Sequence, residues 1–246
     1  MIELVDMCSL QDPAHVDFKK MKDSGVRGVY LKSSQYSGSE DPTFDIGVER
    51  ATAAGLVCGP YHFAYCGSDA ATQMAFFWKA SRGLGSKPGE LPPLIDWEYA
   101  VNDSAGRPLS KLAVVEWLLK ALQSAKTIWY PDSDRKPSAY TFPEFALEHA
   151  AELASQPLLG NYPLTLAAYP SLIVPRDPPK PWTAVTVHQY AGNDGRVPGV
   201  ATACDRDRFM GTEEDFQAYI GNSADLTLPV QETSGGIIHP LPGDEV

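Results

Sequence analysis

The sequence lacks long apolar runs, clustered basic residues and paired cysteines. No segment approaches the roughly 20 apolar residues that a transmembrane helix needs, so we expect no membrane insertion. There are 20 Lys and Arg residues against 31 Asp and Glu, giving a formal net charge of −11, which argues against nucleic-acid binding. The four cysteines (Cys8, Cys58, Cys66 and Cys204) form no C-x-x-C pair. This excludes the common zinc and redox motifs and favours buried free thiols, although spacing alone leaves a disulfide open.

The two ends of the sequence are also informative. The first residues, 1–6, have neither the basic segment nor the apolar core of a signal peptide, so we expect synthesis in a cytoplasm without export by the general secretory route. After Arg208 there is no Lys or Arg, and from Asn222 onward the chain is acidic and without periodicity. We therefore predict one folded domain over residues 1–221 and an acidic extended tail or linker over residues 222–246.

Hydrophobic periodicity predicts strands that alternate with helices over most of the chain. The predicted strands cover residues 2–6, 26–32, 57–63, 94–98, 138–141, 164–169, 185–190 and 201–205. The predicted helices cover residues 17–24, 45–54, 68–81, 111–127, 145–154 and 212–220, and residues 33–42 are predicted as a polar loop. Five strand–helix units followed by three strands indicate an α/β fold, a TIM-like barrel of eight strands with an irregular last part, (β/α)5(β)3. An open doubly wound sheet is the alternative, but no glycine-rich phosphate loop follows the first strand.

The segment 91–98, Leu-Pro-Pro-Leu-Ile-Asp-Trp-Glu, ends a buried strand in two carboxylates. Because successive strand side chains point to opposite faces, Asp96 and Glu98 are expected on one face, about 6.6 Å apart along the backbone, and Trp97 on the other. Close carboxylates raise each other's proton affinity, which suits an acid catalyst beside an ionised partner. The alternative is a strand end that carries two solvated acids.

In a barrel of this kind the active site lies at the C-terminal ends of the strands. The polar candidates at those predicted ends are Asp6, Lys32, His62, Asp96, Glu98, Tyr140, Tyr169, Gln189 with Tyr190, and Asp205. Each has an ordinary alternative alone: a turn cap, a core histidine, a core aromatic or a solvated lysine. Together, four acids surrounded by aromatics indicate sugar cleavage, because one carboxyl can protonate the glycosidic oxygen while another stabilises positive charge. Four acids could also bind a divalent cation, but no calcium-loop spacing is present, so we predict no metal and no cofactor.

Six segments resemble those of the glycoside hydrolase family 25 lysozymes, the Chalaropsis-type muramidases common among phage endolysins. They are, in chain order, 5–11 (VDMCSLQ), 28–32 (GVYLK), 54–63 (AGLVCGPYHF), 91–98 (LPPLIDWE), 163–169 (PLTLAAY) and 188–209. The resemblance covers nearly the whole of residues 2–209, and its third- and fourth-strand motifs are the most specific. The sequence departs from the family where His188 and Thr165 replace common tryptophans, and these changes leave the acids in place.

The resemblance implies a peptidoglycan hydrolase that cleaves the β-1,4 bond between N-acetylmuramic acid and N-acetylglucosamine. It implies Glu98 as general acid/base, Asp96 as the residue that orients the N-acetyl group or stabilises charge, and Asp6 and Asp205 as further acids of the site. Lys32, Tyr61, His62, Tyr140, Tyr169 and Gln189 are then expected to bind the sugar. The expected partner is the glycan strand of bacterial peptidoglycan. We expect the enzyme to act as a monomer on the cell wall after its release, either as a phage lysin or as part of a virion. A carbohydrate-binding barrel without turnover and a hydrolase of another N-acetylated glycan such as chitin are the alternatives.

Overall fold

The computed structural model describes residues 1–99, 102–103, 105–169, 177–192 and 194–222. Its strands are β1 (Ile2–Met7), β2 (Val26–Gln35), β3 (Ser39–Glu40), β4 (Val57–Phe63), β5 (Leu94–Asp96), β6 (Ser138–Thr141), β7 (Leu164–Ala167), β8 (Val187–Ala191) and β9 (Asp205–Phe209). Eight of them close into a barrel, with β1 paired to both β2 and β9, while β3 adds a short antiparallel extension to β2. The predicted eight-stranded α/β barrel is confirmed. Apart from Asn222, the predicted tail lies outside the described residues, so the domain boundary stays a prediction.

Seven α-helices connect the described strands or follow them. They are α1 (Phe18–Asp23), α2 (Phe44–Ala53), α3 (Ala70–Ala80), α4 (Lys111–Trp129), α5 (Pro143–Glu148), α6 (Ala150–Ala154) and α7 (Glu213–Tyr219). Ser110 and Thr212 cap α4 and α7 as the sequence predicts, each accepting a backbone N–H of the first turn. The cap of α3 is Asp69 and not Ser68, because the Asp69 carboxylate accepts the Thr72 N–H at 2.8 Å.

Two strand predictions are wrong. The predicted loop 33–42 contains the end of β2 and all of β3, which pair in a short hairpin. The strand predicted at residues 201–205 lies at Asp205–Phe209, so only its last residue is a strand residue. In this strand Asp205 and Asp207 face into the barrel and Arg206 faces out, and charged residues on both faces hide the apolar alternation on which the prediction depends.

The direction of β9 places its first residue at the mouth of the barrel. Among the eight barrel strands, all neighbouring pairs from β1 to β8 are parallel, whereas β9 is antiparallel to both β8 and β1. The N-terminal end of β9 therefore lies beside the C-terminal ends of its neighbours, and Asp205 is directly paired with Asp6. Asp6 near the C-terminal end of β1 and Asp205 at the N-terminal end of β9 therefore meet at the same end of the barrel.

The barrel interior is apolar at its closed end and polar at its open end. Apolar side chains from the strands, including Leu4 and Leu94, pack there against Phe216 of α7, which closes that end. The hydroxyl of Tyr219 on α7 lies 2.8 Å from that of Tyr30 and 2.8 Å from that of Ser138, so the buried hydroxyls satisfy one another. Outside the barrel, two apolar layers pack the strands against α1 and α2 and against α3 to α6.

The four cysteines are free thiols, three of them buried, as the sequence predicts. Burial raises the pKa of Cys58 to about 11 and that of Cys66 to about 12, so these thiols are unreactive near neutral pH. In the described part of the chain, none of the helices has the length and hydropathy required to span a lipid bilayer.

Candidate active site

A cavity of about 210 Å³ opens at the mouth of the barrel. It is smaller than the roughly 300 Å³ at which drug-sized pockets begin, so it encloses part of a ligand and leaves the rest to the rim. Seven predicted site residues line it: Asp6, Tyr61, Asp96, Glu98, Tyr140, Gln189 and Asp205. Five further residues complete the lining: Tyr30, Phe63, Leu94, Thr165 and Asp207.

The two carboxylates of the β5 segment are held from behind by Trp97. The Trp97 side chain is fully buried in the outer layer, 4.7 Å between ring centroids from Phe145, and its indole N–H donates to the Val114 carbonyl at 3.3 Å. The backbone is fixed on both sides, since the Ala64 N–H donates to the Asp96 carbonyl and the Trp97 N–H donates to the Tyr140 carbonyl, each at 2.9 Å. With Trp97 anchored outward, Asp96 and Glu98 both face the cavity.

A line of hydrogen bonds crosses the cavity from Tyr140 to Asp6. The Tyr140 hydroxyl donates to the Gln189 side-chain oxygen at 3.0 Å, and the Gln189 amide donates to an Asp6 carboxylate oxygen at 2.7 Å. Gln189 is 2 % exposed, so both of its polar atoms depend on these partners. The glutamine thereby fixes the position of the Asp6 carboxylate on the opposite wall.

The carboxyl groups in the cavity hold their protons more tightly than usual. Burial raises the pKa of Asp6 to about 8, with the nearby charge of Asp205 acting in the same direction. Burial also raises the pKa of Glu98, assisted by Asp205 and opposed by the positive charge of Lys32. The pKa of Asp96 is raised well above its ordinary value by burial first and by Glu98 second. Burial and repulsion between like charges thus favour the protonated forms of these carboxyls.

Asp207 is a fifth acid of the cavity, close enough to Asp6 for their charges to interact. It is 2 % exposed and lies one inward position below Asp205 on β9. Burial, and then the charge of Asp6, raise its pKa well above the ordinary value. The protonated form of Asp207 is therefore favoured in the folded protein.

This arrangement can supply a proton and negative charge at the same place. Glu98 is partly exposed at the mouth, where a ligand atom can reach it, and its raised pKa favours the protonated form. Asp96 is buried below it, and its Oδ1 atom has no hydrogen-bond partner among the described residues although its carboxyl lines the cavity. A buried acceptor without a partner is costly, so a donor group of a ligand would satisfy Asp96.

His62 is not part of this site, which corrects the prediction that it binds the ligand. Its ring is fully buried outside the barrel, stacked on Phe77 of α3 at a centroid separation of 5.2 Å. Its two ring nitrogens lie 2.9 Å from the Ser34 hydroxyl and 3.0 Å from the Gln73 side-chain oxygen. Burial lowers the pKa of His62 to about 4, so it is a neutral core residue. The alternation of β4 explains the error, because Tyr61 and Phe63 face the cavity and the residue between them faces away.

Two predicted residues, Lys32 and Tyr169, lie around the cavity and outside its lining. The Lys32 ammonium donates to Gln35 at 2.7 Å and lies 5.1 Å from the centre of the Phe63 ring. Its charge acts on both Asp96 and Glu98. Tyr169 is 52 % exposed, and the negative charges of Asp205 and Glu98 contribute to the raised pKa of its hydroxyl after burial. Both side chains are close enough to contact a ligand that extends over the rim.

Three of the five lining residues that the sequence analysis missed, namely Tyr30, Phe63 and Asp207, follow the same alternation rule. Tyr30 stands two residues before Lys32, Phe63 two residues after Tyr61, and Asp207 two residues after Asp205. Extending each predicted inward position by two would have found all three. Within the described residues, no group of three or more His, Cys, Asp or Glu side chains has the geometry of a metal site.

Comparisons with known proteins agree with this geometry. Residues 5–200 match the family model described as glycosyl hydrolases family 25. An N,O-diacetylmuramidase of Arthroderma benhamiae is 29 % identical over 180 residues, which are 72 % of each chain. The solved structure of a muramidase from Trichobolus zukalii superposes with a TM-score of 0.75 at 28 % identity, covering 91 % of this chain and all of that one. A family GH25 lysozyme from Aspergillus fumigatus gives 0.74 at 26 % identity, covering 89 % and 98 %.

The family match spans most of the barrel, from the second half of β1 almost to β9, and two of the compared structures with more than 25 % identity are muramidases or lysozymes. The eight-stranded barrel and the acid-lined cavity at its mouth are the structural counterpart of that match. The chain therefore belongs to the glycosyl hydrolases family 25 and is a glycoside hydrolase of the lysozyme, or muramidase, type.

Proposed function

We propose that the enzyme cleaves the β-1,4 bond between N-acetylmuramic acid and N-acetylglucosamine in bacterial peptidoglycan, with Glu98 as general acid/base. The observation that carries the proposal is the position of Glu98, partly exposed at the mouth, with its pKa raised by burial and by the nearby charge of Asp205. A carboxyl in this state protonates the glycosidic oxygen of the leaving sugar.

Asp96 is assigned to the N-acetyl group of the substrate. Its Oδ1 atom has no partner within the described structure, and an amide N–H is a donor that would satisfy it. An oriented acetamide can assist the reaction from within the substrate, and the Asp96 carboxylate then stabilises the charge that develops on it. Tyr61 and Tyr140 border the same cavity and offer aromatic surface to the apolar faces of the sugar rings.

The test is mass spectrometry of purified peptidoglycan after digestion with the wild type and with Glu98→Gln. The glutamine keeps the size of the side chain and removes the transferable proton, so we expect a rate loss of about 100-fold or more. Glu148→Gln, an exposed glutamate on α5, is the matched control and should digest the wall at the wild-type rate.

Muropeptides that end in reducing N-acetylmuramic acid, released by the wild type and the control, would support both the bond and the role of Glu98. Reducing N-acetylglucosamine ends would change the bond that is cleaved. Full turnover by Glu98→Gln would remove Glu98 from the mechanism. Absence of products from every wall tested would contradict the proposed substrate. The route by which the enzyme reaches the wall stays a prediction from the sequence.

A further inference from the structure

Three aromatic side chains, Tyr36, Phe63 and Tyr65, form a continuous surface on one side of the cavity, which we call the rim platform. The centroid of the Tyr36 ring lies 6.3 Å from that of Phe63 and 5.1 Å from that of Tyr65, with interplanar angles of 85° and 79°. Edge-to-face pairs of this kind are favourable and hold the rings in fixed orientations. Because Phe63 also lines the cavity, the platform is continuous with the active site.

The backbone of Tyr36 is held in a conformation that its side chain disfavours. Its φ is +54°, in the left-handed region where glycine and asparagine are the usual residues. The Tyr36 N–H donates to the Phe63 carbonyl at 3.2 Å, which fixes the turn against the end of β4. Tyr36 is nevertheless 39 % exposed, so burial of its ring is not the reason for a tyrosine at this position. A strained and exposed aromatic residue beside an active site indicates a role in ligand contact.

Hydrogen bonds to Gln73 hold the residues behind the platform. The Gln73 side chain donates to the Tyr65 carbonyl at 2.5 Å and accepts the Tyr65 N–H at 3.2 Å, while its oxygen also contacts His62. The buried histidine outside the site thus supports the loop that carries Tyr65. On the cavity side, the Lys32 ammonium lies over the Phe63 ring, so a cation–π contact helps to hold the platform residue that is nearest to the acids.

We propose that the rim platform is a sugar-binding subsite, which stacks a pyranose ring of the glycan strand beyond the rings held at the acids. This inference rests on the proposed function, since it assumes a glycan longer than the cavity can enclose. The small cavity volume requires the rest of a polymeric ligand to cross the rim, and the platform is an aromatic surface in direct continuity with it. Flat aromatic surfaces bind the apolar faces of sugar rings.

The test measures binding in a Glu98→Gln background, so that turnover does not consume the ligand. The probes are peptidoglycan-derived chains of alternating N-acetylglucosamine and N-acetylmuramic acid of two, four, six and eight sugars, titrated by calorimetry. Tyr36→Gly removes the ring and suits the left-handed backbone, so it should fold at least as well as the parent. Tyr36→Phe keeps the ring and is the matched control.

We expect Tyr36→Gly to weaken binding of the longer chains about ten-fold and to leave the affinity for the disaccharide unchanged. Tyr36→Phe should bind every chain with the affinity of the parent. Equal affinity of Tyr36→Gly and the parent for all chain lengths would overturn the subsite, as would an equal loss for the disaccharide. The outcome is separable from the proposed function: an intact chain-length effect with no cleavage by the wild type would refute hydrolysis and keep the subsite. Cleavage by the wild type without a chain-length effect of Tyr36→Gly would support hydrolysis and refute the subsite.

Discussion

Replacing Asp207 by asparagine is expected to change the unfolding free energy more favourably at pH 7 than at pH 4. Asp207 is buried against Asp6, and its pKa is raised well above 3.8 by burial and then by the Asp6 charge. The folded protein therefore binds this proton more tightly than the unfolded chain does. The contribution of such a group to stability is complete below the unfolded pKa and is lost as the pH rises towards the folded pKa.

The magnitude follows from the interval between the unfolded pKa and pH 7. At pH 7 an aspartate can be ionised in the unfolded chain and protonated in the folded protein. Its contribution to stability then falls over just more than three pH units, from an unfolded pKa of about 3.9 to pH 7. At about 1.4 kcal/mol per unit, this is an upper limit of about 4 kcal/mol. Asparagine cannot ionise and does not show this loss. A buried amide N–H that finds no partner costs about 1–3 kcal/mol, and this cost is the same at both pH values.

The assay is unfolding in guanidinium chloride at pH 4 and pH 7, followed by tryptophan fluorescence, for the wild type and Asp207→Asn. The change in unfolding free energy caused by the substitution should be more favourable at pH 7 than at pH 4 by up to about 4 kcal/mol. Asp134→Asn, at an exposed position, is the control and should show no such difference. If Asp207→Asn has the same effect at both pH values, the Asp207 carboxyl is ionised in the folded protein and the reasoning fails.

Two further predictions concern the supports of the site. Trp97→Ala removes a fully buried indole behind the two carboxylates and should cost about 3–5 kcal/mol of stability, which lowers the melting temperature by roughly 6–20 °C. It should also reduce kcat, because Asp96 and Glu98 are displaced. An unchanged melting temperature would contradict this packing. Asp69→Ala removes the N-cap of α3 and should cost about 1 kcal/mol of stability with kcat unchanged. Calorimetry and a wall-digestion assay would check this. Ser68→Ala leaves the Asp69 cap in place and should not cause the loss of stability that removal of the cap causes.

The parts of the barrel that the sequence predicts best are those whose strands have apolar outer faces. β4 and β6 have the predicted limits, because the residues that face the helices are apolar or small, His62 excepted, and the flanking residues end each strand clearly. The Asp96–Trp97–Glu98 alternation was also predictable, since Trp97 needs the outer layer and leaves the acids on the inner side. Seven of the predicted site residues therefore meet in the cavity.

The prediction of His62 as a ligand contact failed for a different reason. The sequence places it at a strand end among aromatics, and the fold turns it towards Gln73, which stands 11 positions later on α3. The alternation of β4 already places His62 on the face opposite Tyr61 and Phe63, and only its contact with Gln73 depends on how α3 packs on the barrel. Asp207 was missed because the predicted strand ended at Asp205, so the next inward position, two residues later, was not considered.

β9 shows why the end of the barrel escaped prediction. In the described chain no helix stands between β7 and β9, so the outer face of β9 needs no apolar residues. Arg206 donates to Glu3 at 2.7 Å, and Tyr190, which also hydrogen-bonds to Glu3, has the guanidinium groups of Arg206 and Arg208 at 5.2 and 4.5 Å from its ring centre. Charge pairs and cation–π contacts replace the packing that a helix would give. A strand stabilised in this way has its inner face free for acids, and β9 supplies two of the five carboxyls in the cavity.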